Sequence, residues 1–157
     1  MRALVLAAAI AVAAFVPTSL AAAKPQPVVP PFIQKLVRAK AGALAYLPTR
    51  VPFRYRYVGY GWRGGVVTIK VADRRFAIDG RHSLAFTARR FGGTLATCGA
   101  GRQKTLQMDG NKVYWDGASA WRCLRGTDGR LVRIAASGAN LPDVALGRVV
   151  ASGKRSA

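Results

Sequence analysis

The chain has 157 residues, with 25 lysines and arginines against 6 acids, a net charge of +19 at neutral pH. All the acids are aspartate, and there is one histidine, His82, and two cysteines, Cys98 and Cys123. That inventory argues against a multi-histidine zinc site and against the histidine–glutamate acid–base pair of a secreted ribonuclease.

Residues 1–23 read as a secretory signal peptide. Arg2 supplies a positive start, Ala3 to Val16 are apolar, Pro17 breaks the run, and Ala21-Ala22-Ala23 is the small-x-small pattern before a cleavage site. A retained anchor fits less well, because the run is shorter than the roughly 20 residues of a membrane span. Cleavage near Ala23 predicts a secreted or extracytoplasmic protein of about 134 residues with a charge of about +18. A chain of that length suits one domain and can bury roughly two-thirds of its unfolded surface. In an oxidising compartment a Cys98–Cys123 disulfide is the default for two cysteines.

Residues 24–31, KPQPVVPP, hold four prolines and predict an extended tether. The packed domain is then expected over residues 32–153, with a short basic tail at 154–157. Phe32, Ile33, Leu36, Val37, Ala41 and Leu44 recur at helical spacing, with Lys35, Arg38 and Lys40 towards the other side. The pattern fits a helix covering one face of a sheet better than one lying on an anionic membrane. Pro48 and Pro52 stop that helical region.

Strand signals begin at Phe53. Phe53, Tyr55 and Tyr57 share one parity and Arg54, Arg56 and Val58 the other, so the rings are expected inside and the guanidinium groups outside. Tyr60 and Trp62, past Gly59, are expected to be partly exposed. GVVTIKVAD, RFAIDG and SLAFTA follow, and KTLQM and KVYW flank Asp109-Gly110-Asn111, a strong hairpin signal. SAWRCLRG and LVRIAAS flank a further glycine-rich turn. In NLPDVALGRVVASG, Asn140 suits an N-cap, Pro142 the first turn, Asp143 the positive end of the helix and Gly153 the C′ position. The expected fold is therefore α+β: an antiparallel β-meander of six to eight strands with an N-terminal and a C-terminal helix packed on it, plus one disulfide.

Catalytic motifs are sparse. His82 lies in DGRHSL with no second histidine nearby, and no G-x-S-x-G elbow accompanies it. Cys98, in the basic, glycine-rich TCGAGR, could pair with His82 as a thiolate hydrolase, but the disulfide is the simpler reading. Glycosidase chemistry needs two positioned carboxylates, whereas Asp73, Asp79, Asp109, Asp116 and Asp128 sit beside glycines or basic doublets, where turn duty explains them. No motif implies a cofactor or a metal. Aromatic rings interleaved with arginine at 53–63 also suit nucleic-acid binding, yet the parity of the rings and the export signal argue against it.

At YLPTRVPFRYRY, and again at KTLQMDGNKVYWDGASAWRCLRG and LPDVALGRVVAS, the chain resembles the bacterial, actinobacterial-type extracytoplasmic domains of unknown function marked by L-P-x-x-L-P-x-G-Y. Leu47-Pro48 and Val51-Pro52 match the entry motif, MDGNKVYW the hairpin and AWRCLRG the tryptophan strand. Such domains occur in secreted and anti-sigma-type proteins. The resemblance implies an envelope module with no catalytic residues to carry over. Phe53-Arg54 stands where the family usually has a glycine before its aromatic.

These readings together predict a secreted, non-enzymatic envelope or extracellular domain. Its expected partner is an anionic envelope polymer or membrane surface, met through Arg54, Arg56, Arg63, Arg74, Arg75, Arg89 and Arg90. Protein partners and oligomeric state leave no mark in the sequence.

Overall fold

The computed structural model of the protein describes residues 28–74 and 82–156. The expected signal peptide, residues 24–27 of the tether, the RFAIDG segment and Arg75 lie outside the described residues.

Helix α1 (Pro31–Ala41) opens with proline in its first turn, where a missing N–H costs little, and buries Ile33, Val37 and Ala41. A 3-10 turn at Gly42–Leu44 leads into the short strand β1 (Tyr46–Leu47). Seven strands follow: β2 (Tyr57–Arg63), β3 (Val66–Ala72), β4 (Ser83–Arg90), β5 (Lys104–Met108), β6 (Asn111–Trp115), β7 (Ser119–Arg125) and β8 (Leu131–Ala139). Helix α2 (Asp143–Ser152) and strand β9 (Lys154–Arg155) complete the described chain.

The seven strands form one antiparallel sheet in the order β2-β3-β4-β8-β7-β6-β5. Two hairpin runs, β2 to β4 and β5 to β8, meet at the β4–β8 pair. The protein is α+β, with seven strands in the main sheet, a helix at each end of the packed chain and a Cys98–Cys123 disulfide. Period-two alternation explains the burial. Val67, Ile69 and Val71, Leu84, Phe86 and Ala88, and Val132, Ile134 and Ala136 all face the helices and are buried. Helix α1 packs along β2, and α2 packs along β5 to β8 through Leu146, Val149 and Val150. Each large apolar side chain so buried contributes about 1.5–3 kcal/mol.

Two hairpins close through two-residue loops in which both residues have positive φ: Gly64-Gly65, and Asp109-Gly110 as the sequence predicts. That backbone matches the twist of paired strands, and asparagine, aspartate and glycine tolerate it best.

Several expectations need correction. The strand begins at Tyr57, not Phe53. Phe53 stacks on the His82 ring at 5.5 Å, and the Tyr55 hydroxyl donates to the Val28 carbonyl at 2.8 Å. Both rings are half-buried by these contacts rather than by strand pairing. Within β2 the parity is the reverse of the prediction: Val58 packs against the core, while Tyr57 is 37% exposed. The tether does not stay extended to residue 31, because Val28 and Val29 are buried in the core and the Gln34 side chain donates to the Val29 carbonyl.

At the other end, Asn140 is not the N-cap. It adopts a left-handed conformation at φ 58 after β8, Pro142 precedes the helix, and Asp143 is its first residue. Gly153 does end α2, but at φ −57 rather than in a left-handed cap. It is glycine for lack of space, since an added Cβ would lie 2.8 Å from Ile134 Cδ1 and 3.0 Å from Phe86 Cζ. Lys154 and Arg155, expected in a trailing tail, pair with β1 in the register Tyr46↔Arg155 and Leu47↔Lys154.

Candidate anion-binding face

The face of the sheet away from the helices carries two different halves. Over β6 and β7 it is covered by the chain segment between β4 and β5. Cys98 in that segment is buried and bonded to Cys123 on β7. Its carbonyl accepts a 2.7 Å hydrogen bond from Trp121 Nε1, and the Trp121 ring is fully buried beneath it. Tyr114 packs against that ring at 6.0 Å between centroids, and Arg102 sits over Tyr114 at 5.7 Å. A small second core is thus held on the outer face by one covalent bond.

Over β2, β3, β4 and β8 the outer face is open, and the strand registers place three arginines in one line across it. Arg63 pairs with Val66, Val66 with Arg89, and Arg89 with Arg133, next to Cys123. Neighbouring strands lie about 4.8 Å apart, so Arg89 and Arg133 start from adjacent positions and Arg63 from about 10 Å further along the row. Arg63 and Arg89 are exposed. Arg133 is half-buried, with its guanidinium 4.4 Å above the Trp121 ring, a cation–π contact. Burial lowers the pKa of Arg133, the Arg89 charge lowers it further, and Asp116 opposes both. An arginine starts high enough to remain charged throughout.

The predicted arginines therefore divide. Arg63 and Arg89 come together with Arg133, which the sequence reading missed. Arg54, Arg56 and Arg74 are exposed near the start of β2 and the end of β3. Six residues of extended chain, about 20 Å, separate that end from Arg63. Arg90, one residue after Arg89, points to the opposite side and makes a two-pronged ion pair with Asp128 in the β7–β8 turn. That pairing holds the Asp128 carboxyl down from its ordinary 3.8 to about 2. A depressed carboxylate pKa stabilises the fold above the unfolded value and loses that contribution as pH falls. Asp128→Asn is accordingly expected to flatten the slope of stability against pH between about pH 4 and pH 2. Urea titrations of the two proteins across that range check it, and an unchanged slope would sever the pair from stability.

His82 lies at the other end of β4 from Cys98. Its Nδ1 is 3.3 Å from Asp73 Oδ2, which also accepts from the His82 backbone N–H at 3.2 Å. Cys98 is held in the disulfide, so no thiolate is available to pair with His82. Among the described residues no group of three His, Cys, Asp or Glu side chains is arranged to hold a metal. No described helix is long and apolar enough to cross a membrane. Two further concave regions exist: about 420 Å³ between Arg50–Pro52 and α2, and about 250 Å³ beside the disulfide, lined by Asn111, Lys112 and Arg122. Comparison with protein-family models, curated proteins and solved structures finds no match for this chain.

Proposed function

We propose that this is an extracytoplasmic, non-enzymatic envelope domain that binds an anionic partner through the Arg63–Arg89–Arg133 row. The observation that carries the reading is that, among the described residues, no carboxylate is ion-paired to the row, and Asp116 acts on Arg133 only without direct contact. Among the described residues each aspartate is engaged elsewhere: Asp73 with His82, Asp109 with Arg50, Asp128 with Arg90 and Asp143 with Lys104. Asp116 accepts from the backbone N–H groups of Ala118 and Ser119. Among the described residues no ion pair joins an arginine of the row to a carboxylate. Like charges directly opposed across strands cost about 0.2–1 kcal/mol. A row of this kind weakens the free protein and gains its value when an anion binds.

The export signal and the resemblance to extracytoplasmic modules support an envelope polymer, bearing phosphate or carboxylate groups, as that anion. The test is titration with a linear polyphosphate or a teichoic-type polymer at low salt. Arg63→Gln with Arg89→Gln is expected to weaken binding roughly fivefold to twentyfold, the sum of two exposed charge contacts. Added salt should erase the difference within the screening range of the interaction. Equal weakening by Arg54→Gln with Arg56→Gln would show a diffuse charge effect in place of a site.

A further inference from the structure

We infer that a second surface, the seam between α1 and the edge strand β2, docks the domain onto an anionic phospholipid membrane. This surface is distinct from the arginine row, and the inference goes beyond it. Helix α1 buries Ile33, Val37 and Ala41 against the sheet, yet carries Leu36 in the open beside β2 and Phe32 one turn earlier on the same helical stripe. On β2, Tyr60 and Trp62 project from the same side of the strand as core-facing Val58. Phe32 is 63% exposed, and Leu36, Tyr60 and Trp62 lie between 38% and 43%. Three of the seven large exposed hydrophobic side chains among the described residues thus line one seam, and a fourth, Phe32, stands one helical turn from Leu36. Single exposed apolar residues need no explanation, but a cluster drawn from two elements does.

Charge selects the occupant. Lys40 lines the seam together with Leu36, Tyr60 and Trp62. Helix α1 adds the exposed Lys35 and Arg38, and there is no acid between residues 28 and 72. A second copy paired along β2 would bring that cationic segment against itself, which opposes self-association. The shape selects between the remaining anionic surfaces. The seam encloses only about 10 Å³, room for one water and not for an anchoring side chain of a peptide. Aromatic and aliphatic groups set among cations, with no pocket, suit the headgroup boundary of a bilayer, where such side chains enter to about 5–10 Å. At that depth the edge of β2 that faces away from β3 remains among polar headgroups, where its backbone groups can stay hydrogen-bonded.

The test is co-sedimentation of the exported protein with vesicles of mixed phosphatidylglycerol and phosphatidylcholine, and with vesicles of phosphatidylcholine alone. The protein is expected to partition onto the first and not the second. Phe32→Ser, Leu36→Ser and Trp62→Ser together should weaken partition roughly tenfold or more, since the apolar term is removed while the charge is kept. Phe32→Ser alone, at the most exposed position, should act in the same direction and guards against a folding defect in the triple variant. Arg89→Gln, which alters only the arginine row, should change partition less than about threefold. Triple-variant partition equal to the wild type would overturn the inference in favour of charge alone. Loss with Arg89→Gln but not with the triple variant would move the membrane to the arginine row, overturning the seam and leaving the proposed function intact. No binding of the wild type to anionic vesicles would also overturn it, while the polymer titration would decide the arginine row separately. A dimer that falls to a monomer in the triple variant would make the occupant a second copy and equally overturn it.

Discussion

Replacement of Cys98 and Cys123 by serine is expected to lower the free energy of unfolding by about 3.5 kcal/mol. The bond spans 25 residues of sequence, and closing a loop of that length in the unfolded chain removes about that much conformational entropy. Other features of the structure support a loss of this size. The segment that carries Cys98 has only a short 3-10 turn of its own, Thr97–Gly99. Besides the disulfide its middle is tied to the sheet by the Trp121 hydrogen bond and the Arg102–Tyr114 contact, and its two ends by Phe91 N–H to the Leu131 carbonyl and Gln103 N–H to the Trp115 carbonyl, while Thr94 and Thr97 bond to each other. Without the covalent bond, its middle keeps the Trp121 hydrogen bond and the ring contact and, among the described residues, no other bond to the sheet besides those at its ends. For a domain of this size the midpoint of thermal unfolding should fall by about 10–15 °C. Paired urea and thermal melts of the oxidised protein and the double serine variant check this. A loss below about 1 kcal/mol would mean that the segment packs equally well without the bond, and that the disulfide is not what retains Trp121 beneath it.

The fold class was legible in the sequence because its signals are local. Alternation of apolar residues in VVTIKVA and LVRIAAS, the Asp109-Gly110 loop and the helical spacing from Ile33 to Ala41 each act within about ten residues, and the structure uses all of them. Long-range partners were not legible. Nothing in FRYRYV shows that Tyr55 reaches Val28, or that Phe53 stacks on His82, so the start of β2 was placed four residues early. The same limit governs the arginines. Arg89 and Arg90 are neighbours in sequence, but one lies on the open face and the other is bound to Asp128. Arg133 joins Arg63 and Arg89 only because β8 lies beside β4, a pairing across more than forty residues of chain. The parity of LVRIAAS does place Arg133 opposite the buried Val132 and Ile134, and that was the one available signal for it. The tail residues Lys154 and Arg155 look like solvent-exposed charge in sequence, and only the arrival of β1 gives them a strand to pair with.

Trp121→Ala is expected to cost about 3–5 kcal/mol, the range for removing a large ring from a close-packed interior. The ring is 1% exposed although it stands on the face away from both helices. Its cover is the disulfide-bonded segment, and its flank is Tyr114. Alanine would leave a cavity there and deprive the buried Cys98 carbonyl of its donor. Trp121→Phe separates the two effects. Most of the ring volume remains, so the loss should be smaller, near the roughly 1–3 kcal/mol of an unsatisfied buried acceptor together with the reduced volume. The effect of Trp121→Ala should also depend on the disulfide. Once the Cys98 segment is released, the ring is already partly in water, so the combined loss should fall short of the sum by about 1–2 kcal/mol. A four-way cycle of urea melts measures that coupling, and losses that add to within about 0.5 kcal/mol would show that the two act independently. The same substitution bears on the arginine row. Arg133 rests 4.4 Å above the Trp121 ring, and removing the ring frees the guanidinium without removing its charge. Affinity for the anionic polymer should then fall by several-fold although net charge is unchanged, because the arginine must be ordered anew on binding. An unchanged affinity in a folded Trp121→Ala protein would mean that the position of Arg133 contributes nothing beyond its charge.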